Sequence, residues 1–300
     1  MDTERRLQRY RDADTWPIER SLAAMLDSQM AAFDAVRSAL PALARAAEAV
    51  AIRLERGGRL VYAGAGASGR LAVQDGVELD PTFGWPRDRL HYLIAGGEPA
   101  LVRSIEGAED DGAAAVAAVD RLALDDTDVV VAVAASGRTA FTCAVQRRAR
   151  AAGALTVGLA NNPGTPLLDE AEIPVLLATG PEFLAGSTRM TAGTAQKMAL
   201  NLLSTQTMIA LGRVYQGFMV DLVPTNAKLV ARAKGIVQAL TGTTVAEAEA
   251  LWQRADGDLK LAVLLADGLG PDQAKARLAA AGGNLRRARA DGQRALRQDG

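Results

Sequence analysis

The chain has 300 residues, of which 49% are apolar and 23% are charged, and its net charge is −1. This length suits one large α/β domain with a small accessory domain. The near-neutral charge gives no electrostatic case for a nucleic-acid or membrane partner. No run of eighteen apolar residues occurs that could span a bilayer.

A single cysteine, Cys143, and a single histidine, His91, limit the chemistry that the chain can perform. One cysteine cannot form an internal disulfide, and no charged start precedes an apolar signal core, so we expect a cytoplasmic protein. One residue of each type cannot make a thiolate–imidazole metal cluster. Because His91 falls in an apolar run typical of a strand interior, acid–base work falls mainly on carboxylates, lysine or tyrosine.

The first half of the chain predicts helices followed by an alternating α/β region. Apolar residues recur at helical spacing over 17–56, which predicts two helices with a break near Pro41. Five short apolar runs follow, separated by Ala-rich segments of helical length. They cover residues 59–63, 91–95, 128–134, 155–160 and 173–178. This alternation predicts the α/β class, as a doubly wound, flavodoxin-like five-stranded parallel sheet with right-handed crossovers.

The second half predicts helices only. Residues 191–215 predict one long apolar helix that Gly212 ends, buried in the core or at a subunit interface. Beyond residue 225, short helices are predicted at 226–240, 245–254, 257–266, 271–281 and 284–290. We therefore expect two domains, residues 1–225 with the N-terminal helices and the sheet, and residues 226–300 as a small helical domain. A solvated helix face accounts for the arginines near the end, Arg286, Arg287, Arg289, Arg294 and Arg297.

The loops after the predicted strands are where an open parallel sheet binds its ligands. The first, residues 64–70, combines glycines with a hydroxyl at a helix start, and we take Gly64, Gly66, Ala67 and Ser68 as candidate ligand residues. Its glycine spacing also fits a dinucleotide site. Such a site needs an acid about twenty residues further on, and Glu98 lies further along the chain than that. The loop therefore favours phosphate binding, with a tight turn that binds nothing as the alternative.

Two later loops repeat this chemistry at helix starts. The second supplies Ser136, Gly137 and Thr139, and the third supplies Ser187 and Arg189. Lys197 and Glu182 are close enough in sequence to reach the same place, although a surface ion pair is the simpler account of either. Three such turns make a cradle that suits a phosphosugar better than a nucleotide.

Three glutamates are candidates for acid–base chemistry. Glu78 follows the helix that the first loop starts, where the helix dipole and neighbouring aspartates favour its protonated form and hence a role as general acid. Glu106 and Glu109 are three residues apart and share a face if that segment is helical, which Gly107 opposes. A solvated helix face is the alternative for each acid.

These motifs, taken in order, resemble the N-acetylmuramic acid 6-phosphate etherase family, which has the sugar isomerase (SIS) fold. The resemblance runs from about residue 57 to residue 228. The motifs that carry it are the loop 64–70, the Gly-Gly-Glu at 96–98, the segment 106–110, the loop 134–139, the loop 186–190 with 193–197, and residues 219–221 and 225–226.

The resemblance implies removal of D-lactate from the 3-position of N-acetylmuramic acid 6-phosphate, which leaves N-acetylglucosamine 6-phosphate. It implies that Glu109 takes the C2 proton, that Glu78 protonates the departing ether oxygen, and that water then adds. It also implies a homodimer in bacterial cell-wall recycling and no metal or organic cofactor.

The sequence departs from the family pattern at a few positions. Ala67 replaces a threonine of the first loop, the neighbours of Glu78 are altered, and only Thr3 and Glu4 of the usual opening remain. Two other functions stay open. They are a non-catalytic phosphosugar-binding regulator, like the glucokinase regulatory protein, and an aldose–ketose phosphosugar isomerase.

Overall fold

A computed structural model describes residues 1–290 of the chain. The chain forms two compact units. The first comprises Met1–Val77 and Arg87–Thr207, and the second comprises Glu78–Pro86 and the residues from Met208 onwards. The predicted boundary at residue 225 stays a prediction about domains. Within residues 1–290, no helix combines the length and the apolar character that crossing a membrane requires.

A five-stranded parallel sheet forms the centre of the first unit, which confirms the predicted fold class. Its strands are β1 (Leu60–Gly64), β2 (Leu90–Ile94), β3 (Val129–Val133), β4 (Leu155–Ala160) and β5 (Ile173–Leu176). They lie in the order β2-β1-β3-β4-β5. Strands β1, β3 and β4 are buried along their whole length, which is why they read as continuous apolar runs.

Helices cover the sheet. Helices α4 (Gly112–Leu122) and α5 (Ala140–Ala151) pack on the face that carries Val61, Ala63, Val130 and Ala132. Helix α2 (Gly66–Val77) lies between β1 and β2, and helix α6 (Pro166–Asp169) lies between β4 and β5. Helix α7 (Thr191–Ala210) follows β5. Gly212, with φ +75°, follows the end of α7 as predicted.

The N-terminal region is one helix, α1 (Ile18–Glu55), so the prediction of two helices broken near Pro41 was wrong. Pro41 lacks the N–H that would reach the Arg37 carbonyl, but both residues are exposed, so water can satisfy that carbonyl. The buried face from Ala32 to Leu54 holds the two halves of the helix in line.

The second unit is mainly helical. It contains α3 (Leu79–Phe83), α8 (Ala227–Thr241), α9 (Val245–Arg254), α10 (Leu259–Ala266) and α11 (Pro271–Ala280), and residues 285–290 are also helical. A two-stranded antiparallel hairpin, β6 (Val214–Tyr215) with β7 (Phe218–Met219), was not predicted.

The arginines near the end do not all lie on a solvated face. Arg289 pairs with Asp267 at 2.7 Å and Arg286 stacks over Tyr215, whereas Arg294 and Arg297 lie outside the described residues. The prediction of a uniformly solvated face was therefore wrong for Arg289.

A buried ion pair fixes the start of the central strands. Asp128 is 1% exposed and accepts hydrogen bonds from the backbone N, Nε and Nη2 of Arg59 and from the backbone N of Asp125. Burial alone would raise the pKa of Asp128, but these hydrogen bonds and the Arg59 charge hold it below its ordinary value.

We expect Asp128→Ala to lower the free energy of unfolding by about 3 kcal/mol near neutral pH, because it leaves Arg59 without its buried partner. The ionised carboxylate stabilises the fold above the unfolded aspartate pKa of about 3.9, and that contribution is lost as the pH falls through the lower folded pKa. Urea denaturation should therefore show a difference between wild type and variant that narrows below about pH 4. A difference independent of pH would contradict this assignment.

Candidate active site

The first loop is shaped by the close approach of β1 to α2. A Cβ on Gly64 would lie 2.9 Å from the backbone of Gly69, and a Cβ on Gly69 would lie 3.0 Å from the backbone of Gly64. Both positions therefore require glycine. Between them, Gly66 is exposed with φ +52°, Ala67 is half-buried and Ser68 is 8% exposed. The loop thus presents the N-terminus of α2, whose first N–H groups have no partner within the helix.

A pocket of about 250 Å³ lies beside this loop within the first unit. Its lining includes Gly66, Arg70, Arg103, Glu106 and Glu109. The structure therefore brings the first candidate phosphate loop together with the predicted base, Glu109. The lining carries both signs of charge, as a site for an anionic substrate and a catalytic carboxylate requires.

Arg70 builds one wall of this pocket. Its Nε donates to the Ala100 carbonyl at 2.9 Å and its Nη2 donates to the Arg103 carbonyl at 3.3 Å. Since Arg70 is the fifth residue of α2 and the last residue of the first loop, it ties the segment after β2 to that loop. The sequence motif contained this arginine, but its role in holding the neighbouring segment could not be read from its position.

Glu106 and Glu109 do not share a helical face, so that expectation was wrong. Gly107 has φ +68°, and a short 3₁₀ turn, Ala108–Asp110, starts only after it. Both glutamates are nevertheless exposed and line the same pocket. The geometry therefore does not by itself choose between them as the base.

The second loop lies after β3. The backbone N of Arg138 donates to Ser136 Oγ at 3.1 Å, and Ser136 Oγ lies 3.4 Å from Thr139 Oγ1. The Ser136 oxygen is thus occupied as an acceptor while its proton can be donated. Gly137 has φ +66° and packs against Thr165, so this turn also needs glycine. Thr139 precedes α5 without a side-chain cap bond, which leaves its hydroxyl available.

The third loop lies before α7. Ser187 is half-buried and Arg189 is exposed. Glu182 is fully buried, and its two oxygens accept the backbone N–H groups of Thr191 and Ala192 at 2.9 Å each. The expectation that Glu182 forms a surface pair or reaches a ligand was therefore wrong: it caps the N-terminus of α7.

The N-terminal residues join the second and third loops, a role that the sequence did not reveal. The Thr3 backbone N and hydroxyl both bond to the Asn162 side chain, and the Thr3 carbonyl accepts the Gly186 N–H at 2.9 Å. Asn162 also donates to the Ala135 carbonyl at 2.9 Å. A Cβ on Gly186 would lie 2.7 Å from Glu4 Oε2, so the Glu4 carboxylate lies against the third loop.

Lys197 is exposed on α7 and connects to a buried network. Its Nζ donates to Asn201 Oδ1, and Asn201 Nδ2 donates to Asp75 Oδ1 at 2.5 Å. Ser204 and Tyr62 donate to the same carboxylate at 3.2 and 2.7 Å. Asp75 therefore ties α2 to β1 and α7.

Tyr62 belongs to this network, and Tyr92 stacks on its ring with the centroids 6.3 Å apart. Burial and then the Asp75 charge raise the pKa of Tyr62 well above its ordinary value, and the same two causes raise the pKa of Tyr92 to about 12. Neither phenol is therefore suited to act as a base near neutral pH.

Glu78 belongs to the second unit. It follows the last residue of α2 and precedes α3, with φ −81° and ψ −13°, and its side chain is exposed and does not cap α3. Within residues 1–290, no group of three or more His, Cys, Asp or Glu side chains could hold a metal ion.

Comparison with known proteins defines the class to which this fold and these loops belong. The family model for the SIS domain matches residues 100–209, and that for the glucokinase regulatory protein N-terminal SIS domain matches residues 42–149. A solved structure from Bacteroides fragilis, of a candidate phosphosugar isomerase involved in capsule formation, has a TM-score of 0.50 and 20% identity, covering 67% of this chain and 95% of that chain. The chain is thus a SIS-fold protein.

Curated relatives identify the family within this class. The N-acetylmuramic acid 6-phosphate etherase of Deinococcus radiodurans is 51% identical over 95% of this chain and 93% of its own length. Those of Rubrobacter xylanophilus and Mesorhizobium japonicum are 48% and 43% identical over 87% and 96% of this chain, and over 86% and 94% of their own lengths. The chain therefore belongs to the N-acetylmuramic acid 6-phosphate etherase family, and the resemblance stated from its motifs is confirmed.

We expect Glu182→Gln to lower the free energy of unfolding by about 1–3 kcal/mol, because an amide offers one acceptor oxygen and leaves one buried N–H of α7 unpaired. Urea denaturation of Glu182→Gln should be compared with that of Glu172→Gln, which alters an exposed glutamate. Equal midpoints for the two variants would show that the cap contributes nothing.

Proposed function

We propose that this protein cleaves the lactyl ether of N-acetylmuramic acid 6-phosphate to give N-acetylglucosamine 6-phosphate and D-lactate. The observation that carries the proposal is the 51% identity to a curated etherase over nearly the whole chain. The pocket that contains Glu109 beside the first phosphate loop supports it independently, since it offers a carboxylate where a phosphosugar would bind.

The proposed reaction is an elimination followed by a hydration. In the open-chain sugar the C1 aldehyde acidifies the C2 proton, and Glu109 removes it. The C3–O bond breaks as Glu78 protonates the departing ether oxygen, which releases lactate and leaves a C2–C3 double bond. Water then adds at C3, and a proton returns to C2. Two carboxyl groups are sufficient for these proton transfers.

The strand-end loops supply the proposed phosphosugar contacts. Backbone groups at Gly64, Gly66 and Ala67 can approach the phosphate closely, and hydroxyls can donate to its oxygens. The residues we propose for binding are Gly64, Gly66, Ala67, Ser68, Ser136, Gly137, Thr139, Ser187, Arg189 and Lys197. The half-buried hydroxyls of Ser136 and Thr139, set 3.4 Å apart, support this assignment most directly.

A phosphosugar-binding regulator is the second candidate function. The match of residues 42–149 to the glucokinase regulatory protein family model favours it. Such a protein would bind N-acetylmuramic acid 6-phosphate without releasing lactate. An aldose–ketose isomerase would instead interconvert two sugar phosphates, also without lactate.

A homodimer in the cytoplasm is part of the proposal. Helix α1 carries a row of exposed apolar side chains, Ile18, Leu22, Leu26, Met30 and Phe33, and several of them are more than half exposed. A groove of about 380 Å³ continues the row and is lined by Phe33, Leu40 and Leu202. A long apolar row with an adjoining groove on the same unit suits the two-fold interface of two identical copies.

The catalytic assignment predicts that wild type releases lactate from N-acetylmuramic acid 6-phosphate, whereas Glu109→Gln and Glu78→Ala lose at least about 100-fold in kcat while KM changes little. Lactate is measured with a coupled dehydrogenase assay. Glu106→Gln is the matched control, since Glu106 lines the same pocket. Equal losses in the two pocket variants would contradict the choice of Glu109, and binding without turnover by wild type would favour the regulator.

The phosphate assignment predicts that Ser136→Ala weakens phosphosugar binding by about 1–3 kcal/mol, because a hydroxyl donor to a charged group is lost. Calorimetric titration of Glu109→Gln, with and without Ser136→Ala, measures this without turnover. Ser38→Ala on the exposed face of α1 is the control. An unchanged Kd would remove Ser136 from the site.

The dimer assignment predicts a solution mass of twice 31.3 kDa for wild type and a monomer for the double variant Leu26→Asp with Met30→Asp. A carboxylate in the centre of an apolar interface would be buried without a partner. Light scattering after gel filtration measures the mass. Val245→Asp, at an exposed apolar residue of α9, serves as the control and should stay dimeric.

A further inference from the structure

The segment that carries Glu78 belongs to the second unit, but in sequence it lies between two parts of the first unit. Glu78–Pro86 packs with residues from Met208 onwards, although the chain on either side of it belongs to the first unit. Leu79, Phe83 and Trp85 are buried, at 2%, 7% and 1% exposed. The side chain of Glu78 accepts no cap bond from α3 and is exposed, so its position depends on how the backbone of this segment is held.

The Arg213 side chain contacts the end of this segment. Arg213 Nη1 donates to the Phe83 carbonyl at 2.7 Å and to the Gly84 carbonyl at 2.9 Å. The guanidinium also lies 5.2 Å from the ring centroid of Trp85. Arg213 thus contacts three consecutive residues, the last residue of α3 and the two that follow it.

The segment after β7 contacts the other side of Glu78–Pro86. The Val223 backbone N donates to the Pro81 carbonyl at 3.2 Å. Gly84 is left-handed, with φ +60°, and a Cβ there would lie 2.5 Å from the Asp221 carbonyl oxygen, so the two backbones are in direct contact. Asp221 is itself paired with the buried Lys260 at 2.5 Å.

We propose that Arg213 is a positioning residue for Glu78, and that the second unit thereby orients the proton donor of the reaction. This inference rests on the proposed role of Glu78 as the acid. A proton donor must lie within hydrogen-bond reach of the departing oxygen, and a displacement of about 1 Å can cost on the order of 100-fold in rate. Because the Glu78 side chain makes no cap bond to α3, its position depends on the backbone of the segment, to which Arg213 donates two hydrogen bonds.

Arg289 provides a matched control. It is an arginine of the same unit that bonds to a backbone carbonyl, that of Leu240 at 3.3 Å, and pairs with Asp267 at 2.7 Å. These two partners, and the Tyr215 ring that Arg289 faces at 5.8 Å, lie outside the Glu78–Pro86 segment. Arg213→Met and Arg289→Met should therefore lower the melting temperature similarly if each merely stabilises the unit, but only Arg213→Met should affect Glu78.

Kinetics distinguish positioning from stability. We expect Arg213→Met to lower kcat by about 30- to 100-fold with KM within threefold, Arg213→Lys to lower it less because one donor is kept, and Arg289→Met to change it by less than about twofold. Adding Arg213→Met to Glu78→Gln should lower the residual rate by less than about twofold, since the two residues act as one unit. The proposal would be overturned if the loss of kcat in the double variant equalled the product of the two single losses. Equal losses of kcat in Arg213→Met and Arg289→Met would also overturn it.

Hydrogen exchange gives a measure that does not depend on turnover. Backbone amides of residues 79–86 should exchange at least about tenfold faster in Arg213→Met than in Arg289→Met. The hydrogen bonds to the Phe83 and Gly84 carbonyls are lost only in Arg213→Met. Equal exchange in the two variants would overturn the proposal whatever the activity. If wild type released no lactate, the proposed function would fail while the exchange result still decided whether Arg213 holds the segment.

Discussion

The contact between Gly64 and Gly69 is the constraint on which the first unit depends. Only two residues without side chains let α2 begin directly against the end of β1. That start sets the direction of α2, so that Asp75, about two and a half turns on, reaches Tyr62 of β1 and Asn201 of α7. The shape of the first loop and the buried network are therefore consequences of one backbone approach.

The same approach places the charges of the candidate pocket. Arg70 lies one residue after Gly69, and its two bonds to the carbonyls of Ala100 and Arg103 bring the segment after β2 alongside the loop. Glu106 and Glu109 lie on that segment. The position of the two glutamates relative to the first loop therefore depends on the hydrogen bonds of Arg70.

Much of the sheet and of the loops could be predicted from the sequence, because buried parallel strands read as apolar runs and their ligand loops follow directly. Features that depend on contacts between residues far apart in sequence could not be predicted. Pro41 is tolerated inside α1 because its site is exposed, Glu182 becomes a helix cap only once the fold is formed, and Thr3 meets Asn162 across 159 positions of sequence. The choice of Glu109 over Glu106 came from family resemblance, since both line one pocket.

The discontinuity of the second unit has a consequence for biosynthesis. Residues 78–86 leave the ribosome long before Arg213, Asp221 and Lys260, with which they pack or which support that packing. The segment can therefore gain its hydrogen bonds from Arg213 only after that residue has been made. The nascent chain can complete its sheet before it has made Arg213, so a product truncated between the sheet and Arg213 would lack the hydrogen bonds that hold residues 78–86.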